Sequence, residues 1–188
     1  VVDVDETVLS NAAYEARLLV NNLSYPMGFE EWIKAAVATP IPGALEFLNY
    51  ANSMDVKVFY VTNRKVSQQE ATKENLKRLG FPDVSDETVL TRKDTSSKEP
   101  RRKAIRKTYE IILSIGDNLI DLAKEFEMKE SDLRMAEVEK SKKRFGTEFI
   151  VLPNAIYGEW ESVVGDISKL TPAEKRAARL KALIPFVN

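Results

Sequence analysis

The sequence predicts an α/β fold built on a parallel sheet, and three observations predict it. Short apolar, β-branched runs recur along the chain, beginning at Val1, Val56, Val89, Ile111 and Phe149. Stretches with helical periodicity separate them, as crossover connections between parallel strands require. Several runs end in carboxylates or a hydroxyl, at the strand ends where α/β proteins bind ligands. With 188 residues, 44% hydrophobic and 30% charged, the chain is sized for one domain over 1–188, with one core and a small insertion.

Taken in order, Val1-Val2-Asp3-Val4-Asp5 reads as a strand ending in two carboxylates. Residues two apart on a strand share a face, so Asp3 and Asp5 are expected to project together where the loop begins. Residues 10–40 then read as a small, mainly helical insertion. Ala12 to Val20 and Phe29 to Val37 form its helices, and Tyr14, Phe29 and Trp32 are read as its packing residues. Thr39-Pro40-Ile41-Pro42-Gly43 is a rigid connector, after which Ala44, Leu45, Phe47, Leu48 and Ala51 give a helical stripe.

The second strand is predicted over Val56–Val61, so continuously apolar that it should be buried on both faces, with Thr62-Asn63-Arg64 at its end. Ser67 and Glu70 are spaced as a capping box for a helix that Gly80 closes. After a short strand at Val89-Leu90, Ser96-Ser97-Lys98-Glu99 forms another such box with Pro100 in the first turn, placing Lys98 at a helix start. Arg101, Arg102, Lys103, Arg106 and Lys107 read as the solvated face of that helix rather than a nucleic-acid surface.

The fourth strand, Ile111–Ile115, runs into Gly116-Asp117-Asn118-Leu119-Ile120-Asp121, where Gly116 gives the backbone a tight exit. Lys124 to Arg144 has helical tendency, Phe149–Leu152 is the fifth strand, and 171–188 is a C-terminal helix opened by the Thr171/Glu174 box.

Composition removes several chemistries. The chain has no His and no Cys, which excludes a His-containing triad, thiol nucleophiles, disulfides and His- or Cys-ligated metals. Any metal site must be oxygen-lined and suited to a hard cation. A net charge of -1 argues against a nucleic-acid polymer as partner. No apolar stretch approaches a membrane span. Because Val1 already lies inside the first strand, an upstream segment with any targeting signal is expected outside this sequence.

Parallel strands joined by right-handed crossovers bring Asp3, Asp5, Thr62, Lys98, Asp117 and Asp121 to one sheet edge. Crowded carboxylates call for a cation, and a Mg²⁺ held by Asp3, Asp117 and a backbone carbonyl fits the ligand types. Thr62 and Lys98 would then donate to phosphoryl oxygens.

These motifs carry a resemblance. D-x-D-x-T after a strand, a Thr after the second, a Lys before the fourth and GDN-x-x-D after it resemble the four motifs of the haloacid-dehalogenase (HAD) superfamily. More closely, VVDVDETVLSN, PGALEFLNYANS, VFYVTNR, SSKEPRR, IGDNLIDL and LPNAIYGEWE, from the first residue to about Trp160, are similar to the class C (DDDD) acid phosphatases. The resemblance implies a Rossmann-like three-layer core with a parallel sheet of five or more strands and a small helical cap.

It also implies a Mg²⁺-dependent phosphomonoesterase acting on small phosphate esters, with nucleoside 5′-monophosphates among them. Asp3 would be the nucleophile, forming an aspartyl-phosphate, and Asp5 the general acid and base. Thr62, Asn63 and Lys98 would bind phosphate; Asp3, Asp5, Asp117 and Asp121 would surround the metal; Tyr157 would stack on the substrate's base. Membrane attachment through an upstream lipid anchor, a homodimer, and a cell-envelope or secreted location are further implications. Two alternatives stand beside this reading: a HAD-type phosphotransferase or phosphomutase, and a non-catalytic surface binding protein on the same scaffold.

Overall fold

A computed structural model of the chain describes residues 1–127, 130–158 and 170–182. The fold is mixed α/β. β1 (Leu9–Ser10) and β2 (Thr39–Pro40) pair antiparallel, Leu9 with Pro40 and Ser10 with Thr39. β3 (Tyr60–Lys65) and β4 (Val89–Arg92) run parallel, as do β5 (Ser114–Gly116) and β6 (Phe149–Val151).

Between the two parallel pairs lies Val2, which forms isolated parallel bridges to Tyr60 on one side and Ile115 on the other. Its N–H donates to the Phe59 carbonyl at 2.8 Å, and the next amide, of Asp3, donates to the Ile115 carbonyl at 2.9 Å. The expected continuous sheet of five strands thus appears as sheets of two strands each, with isolated bridges where the first strand was predicted. The cause is brevity: after Val4 the backbone turns, and Glu6 takes a positive φ of 55°, so the segment leaves its neighbours after one bridge on each side.

The second predicted strand is displaced along the chain. Regular pairing starts at Tyr60 because its partner begins only at Val89, and it continues past Val61 to Lys65. The register shifts between Val61 and Lys65, so Thr62, Asn63 and Arg64 occupy an irregular stretch of β3 rather than a loop beyond it. Such irregularities re-aim side chains and recur beside active sites.

The helices are α1 (Ala12–Val20), α2 (Phe29–Ala35), α3 (Ala44–Ser53), α4 (Gln69–Leu79), α5 (Glu99–Ile105), α6 (Leu119–Leu122), α7 (Ser131–Lys140) and α8 (Pro172–Ala182), in the predicted order except for α6, a short helix the sequence reading does not include. The β1–β2 ribbon brings the two ends of residues 10–40 together, with Thr39-Pro40, expected as part of a rigid connector, forming its second strand. Within the insertion the Tyr14 ring centroid lies 5.1 Å from that of Phe29 and 6.4 Å from that of Trp32. These aromatics pack on one another as predicted. The stripe of α3 is narrower than expected: Leu48 is buried, whereas Phe47 is exposed.

α4 starts at Gln69, one residue later than the Ser67/Glu70 box suggested. A short 3-10 turn at Val66–Gln68 intervenes, in which the Gln68 side chain accepts from the Lys65 amide at 2.8 Å. Gly80 closes α4 in a left-handed conformation, φ 83°, as its sequence position predicts. At α8 the predicted box is present, the Thr171 amide donating to Glu174 at 2.8 Å; residues 183–188 and Trp160 lie outside the described residues. The core gathers Val2, Val4, Val8, Leu9, Val58, Tyr60, Leu76, Val89 and Ile115 beneath the ligand edge of the parallel pairs.

The basic run of α5 corrects the sequence reading. Arg102 is fully buried: its Nε donates to Glu99 at 3.0 Å and its Nη1 to the Asp121 carbonyl at 3.0 Å. This arginine clamps α5 to α6, the element that carries Asp121. Arg101 also turns inward, while Lys103, Arg106 and Lys107 remain exposed.

Candidate active site

Three carboxylates converge where the parallel segments end. One oxygen from each of Asp3, Asp117 and Asp121 lies within 4.8 Å of the others. Asp3 comes from the segment beside Val2, Asp117 from the exit of β5, and Asp121 from α6. α6 is opened by Asn118, whose side chain accepts from the Ile120 amide while its own amide donates to Asp121 Oδ2 at 3.0 Å. Gly116 serves by its size: a Cβ there would come within 2.3 Å of the Asp121 Cβ. The sequence reading assigned it to a tight exit, whereas its φ is not in the left-handed region and close approach is what requires glycine.

The Lys98 ammonium enters the same cluster. It donates to Asp3 and pairs with Asp121 at 2.6 Å, and its side chain is buried. Burial opposes its charge, but Asp121 and Asp3 outweigh burial and hold its pKa above the ordinary lysine value. For Asp3, burial comes first; Lys98 pulls the pKa down while Asp121, Asp117 and Asp5 push it up, and the result lies well above the carboxylate range. Burial, with Asp121 adding repulsion against the Asn154 amide's donation at 2.8 Å, pushes Asp117 up to about 6. Three carboxylates against one ammonium leave the cluster short of positive charge. A hard divalent cation fits this all-oxygen donor set, and its charge would lower the raised carboxylate pKa values.

The Asp5 carboxylate stands apart from this group. Arg64 grips it with Nη2 at 2.8 Å and Nε at 3.1 and 3.2 Å, and Asn11 donates to it at 2.9 Å. Burial would raise its pKa, but the Arg64 guanidinium and the Asn11 amide overcome burial and hold it below the ordinary carboxylate value. Of the acidic residues expected around a metal, Asp3, Asp117 and Asp121 come together, and the Asp5 side chain is committed elsewhere.

Thr62 is buried, and its hydroxyl accepts the Arg64 amide at 3.1 Å, which leaves its own proton to be donated. Asn63 Oδ1 accepts from Arg101 Nη2 at 2.7 Å, so its amide protons are the groups left to bind an anion. Tyr157, on the loop after β6, is half-buried with its hydroxyl 3.2 Å from Asn11 Nδ2 and 3.4 Å from Glu6 Oε1.

Asn11, Arg64 and Asn154 were given no role from the sequence, and Arg101, read as a solvated charge, instead donates to Asn63. Their roles depend on which distant side chain they meet. Asn11 stands at the N-cap of α1 without making a side-chain cap, and its amide faces the site instead. That the Arg of VTNR directly follows a candidate phosphate-binding pair was the one available signal.

The fold and donor set define an α/β protein with an oxygen-lined, carboxylate-rich site at the ends of parallel strands. Residues 1–160 match the model of the HAD superfamily, subfamily IIIB (acid phosphatase), and the chain belongs to that family. It is similar to the class C acid phosphatase of Bacillus anthracis at 38% identity and a TM-score of 0.92, over 99% of this chain and 79% of that one. A structure of that enzyme with tungstate bound matches at 37% identity, with the same TM-score and coverage. Among curated relatives, a stem 28 kDa glycoprotein of Glycine max and acid phosphatase 1 of Solanum lycopersicum are each 28% identical over 65% of this chain. Vegetative storage protein 1 of Arabidopsis thaliana is 26% identical over 66% of it. The chain spans about half the length of these curated relatives.

Proposed function

We propose that this protein is a Mg²⁺-dependent acid phosphatase hydrolysing small phosphate monoesters, nucleoside 5′-monophosphates among them, through an aspartyl-phosphate on Asp3. The observation that carries the reading is the convergence of Asp3, Asp117, Asp121 and Lys98, with Asp5 nearby but held apart on Arg64. Tungstate, bound by the related Bacillus enzyme, is a tetrahedral oxyanion like phosphate and supports an anion site here.

Asp3, Asp117 and Asp121 would hold the cation, with a main-chain carbonyl in addition. Mg²⁺ when bound supplies Lewis-acid stabilisation of phosphoryl charge. Thr62, Asn63 and Lys98 orient the phosphoryl oxygens. An Asp3 oxygen forms the new bond to phosphorus as the ester P–O bond breaks; the electron pair leaves with the alcohol oxygen, which takes the proton of Asp5. Asp5, now a carboxylate, accepts a proton from water as the water oxygen attacks phosphorus. The Asp3–phosphorus bond then breaks and phosphate leaves.

Because Asp5 must start protonated while Arg64 favours its carboxylate, the productive form is populated only toward acid pH. The rate is therefore expected to fall as pH rises. Vegetative storage protein 1 among the relatives favours a second reading, storage or binding without turnover. Phosphate release from a generic monoester, measured across pH with Mg²⁺ and after chelation, separates the two. Wild type should show acid-favoured, chelator-sensitive release, and Asp3→Asn none. Release by Asp3→Asn at the wild-type rate would overturn the mechanism, and transfer only to an added sugar phosphate would make the protein a phosphotransferase.

A further inference from the structure

The Asp5 carboxylate is held asymmetrically. Oδ1 accepts from Arg64 Nη2 at 2.8 Å, Asn11 Nδ2 at 2.9 Å and Arg64 Nε at 3.2 Å, whereas among the described residues Oδ2 accepts only the shared Arg64 Nε at 3.1 Å. Both donors are themselves anchored. The Arg64 side chain is 2% exposed, and its Nη1 donates to Thr72 Oγ1 at 3.1 Å, the hydroxyl in turn donating to the Gln68 carbonyl. Asn11 is fully buried, and its Oδ1 accepts Trp32 Nε1 at 2.8 Å. That indole N–H fixes the amide: reversed, the Asn11 NH₂ would face another donor, and its oxygen would face the Asp5 carboxylate.

We infer that Arg64 and Asn11 are positioning residues for Asp5, with Trp32 of the cap setting the Asn11 amide. Together they saturate Oδ1 and reserve Oδ2 as the oxygen that hands its proton to the leaving alcohol and takes one from water. The inference rests on the acid–base role proposed for Asp5. It also makes α2 of the cap part of the proton-transfer geometry, since Trp32 reaches Asp5 through one intervening amide.

Leaving-group dependence tests it. A nitrophenolate departs with little need of a proton, whereas the alkoxide of a phosphoglycerol ester needs one. Turnover of both esters is compared for wild type, Asp5→Asn, Asn11→Ala and Arg64→Lys, with Trp32→Phe added because it removes the indole N–H while keeping an aromatic ring against Tyr14. We expect Asp5→Asn to depress kcat for the alkyl ester far more than for the aryl ester. The Asn11 and Arg64 variants should repeat that selectivity in milder form, roughly tenfold, with KM little changed, and Trp32→Phe should share its direction. If Asp5→Asn is selective but the other variants lose both activities equally, or lose neither, the positioning role is overturned and the acid–base reading stands. If Asp5→Asn itself is unselective, the acid–base reading fails and the inference with it.

Discussion

Lys98 sits between two buried carboxylates, so its ammonium both offsets their repulsion and competes with any cation for them. Removing one partner of a buried pair is costly because the remaining charge loses its counter-ion. Lys98→Ala is therefore expected to melt at lower temperature than wild type in chelator and to recover most of that loss on adding Mg²⁺, which can take over the neutralising role. Turnover should not recover. If Lys98 donates to the developing phosphoryl charge as proposed, its loss should lower kcat by about 10²–10³-fold, and rates within twofold of wild type would mean that another group, such as Arg101, does this work.

At the scale of elements, the loop after β6 carries Tyr157 to the site, where its hydroxyl meets Asn11 and Glu6. If the ring also stacks on a base, Tyr157→Ala should reduce kcat/KM for nucleoside 5′-monophosphates by about 1–3 kcal/mol while affecting phosphoglycerol less. Equal losses with both substrates would leave the tyrosine as a support for Asn11. The elements themselves were unevenly legible. Helices with a dense periodic face or a terminal glycine, such as α4 with Gly80, could be read directly. β1 and β2 could not, because two residues per strand carry no alternation. The β3 boundary depends on where Val89 offers a partner, which is information from another part of the chain. Arg102 looked like one more charge in a wet run, and only its pairing with Glu99 and the Asp121 carbonyl turns it inward. The convergence of Asp3, Asp117, Asp121 and Lys98 was legible, because they stand at the ends of apolar runs or at a helix start, whereas Asp5, read with them, turns to Arg64. The site was illegible at Asn11 and Arg64, whose chemistry is common and whose meaning is tertiary.

For the whole molecule, the raised carboxylates give stability a definite pH dependence. Asp117 titrates near 6 when folded and near its lower ordinary value of 3.8 when unfolded. Between those values the folded state holds more protons, so this group's contribution to stability falls as pH rises through that window. Asp3 shifts in the same direction. A bound cation acts oppositely, since it needs the carboxylates ionised. Thermal melts with and without Mg²⁺ should show a larger cation-induced rise in Tm at pH 7 than at pH 5; an equal or reversed rise would place the cation away from Asp3 and Asp117. No helix among the described residues is long and apolar enough to cross a membrane.

The bridging position of Val2 has a consequence for the order in which the protein is made. Its partners, Tyr60 and Ile115, lie far along the chain, and pairings between distant segments close slowly because the intervening loop must first be brought together. During synthesis the segment bearing Asp3 can meet Tyr60 first, but its second bridge must wait until the residues around Ile115 have left the ribosome. No shorter nascent chain can assemble the carboxylate cluster, because Asp117 and Asp121 follow Ile115. The earliest part of this sequence to be translated is thus among the last to be paired on both sides.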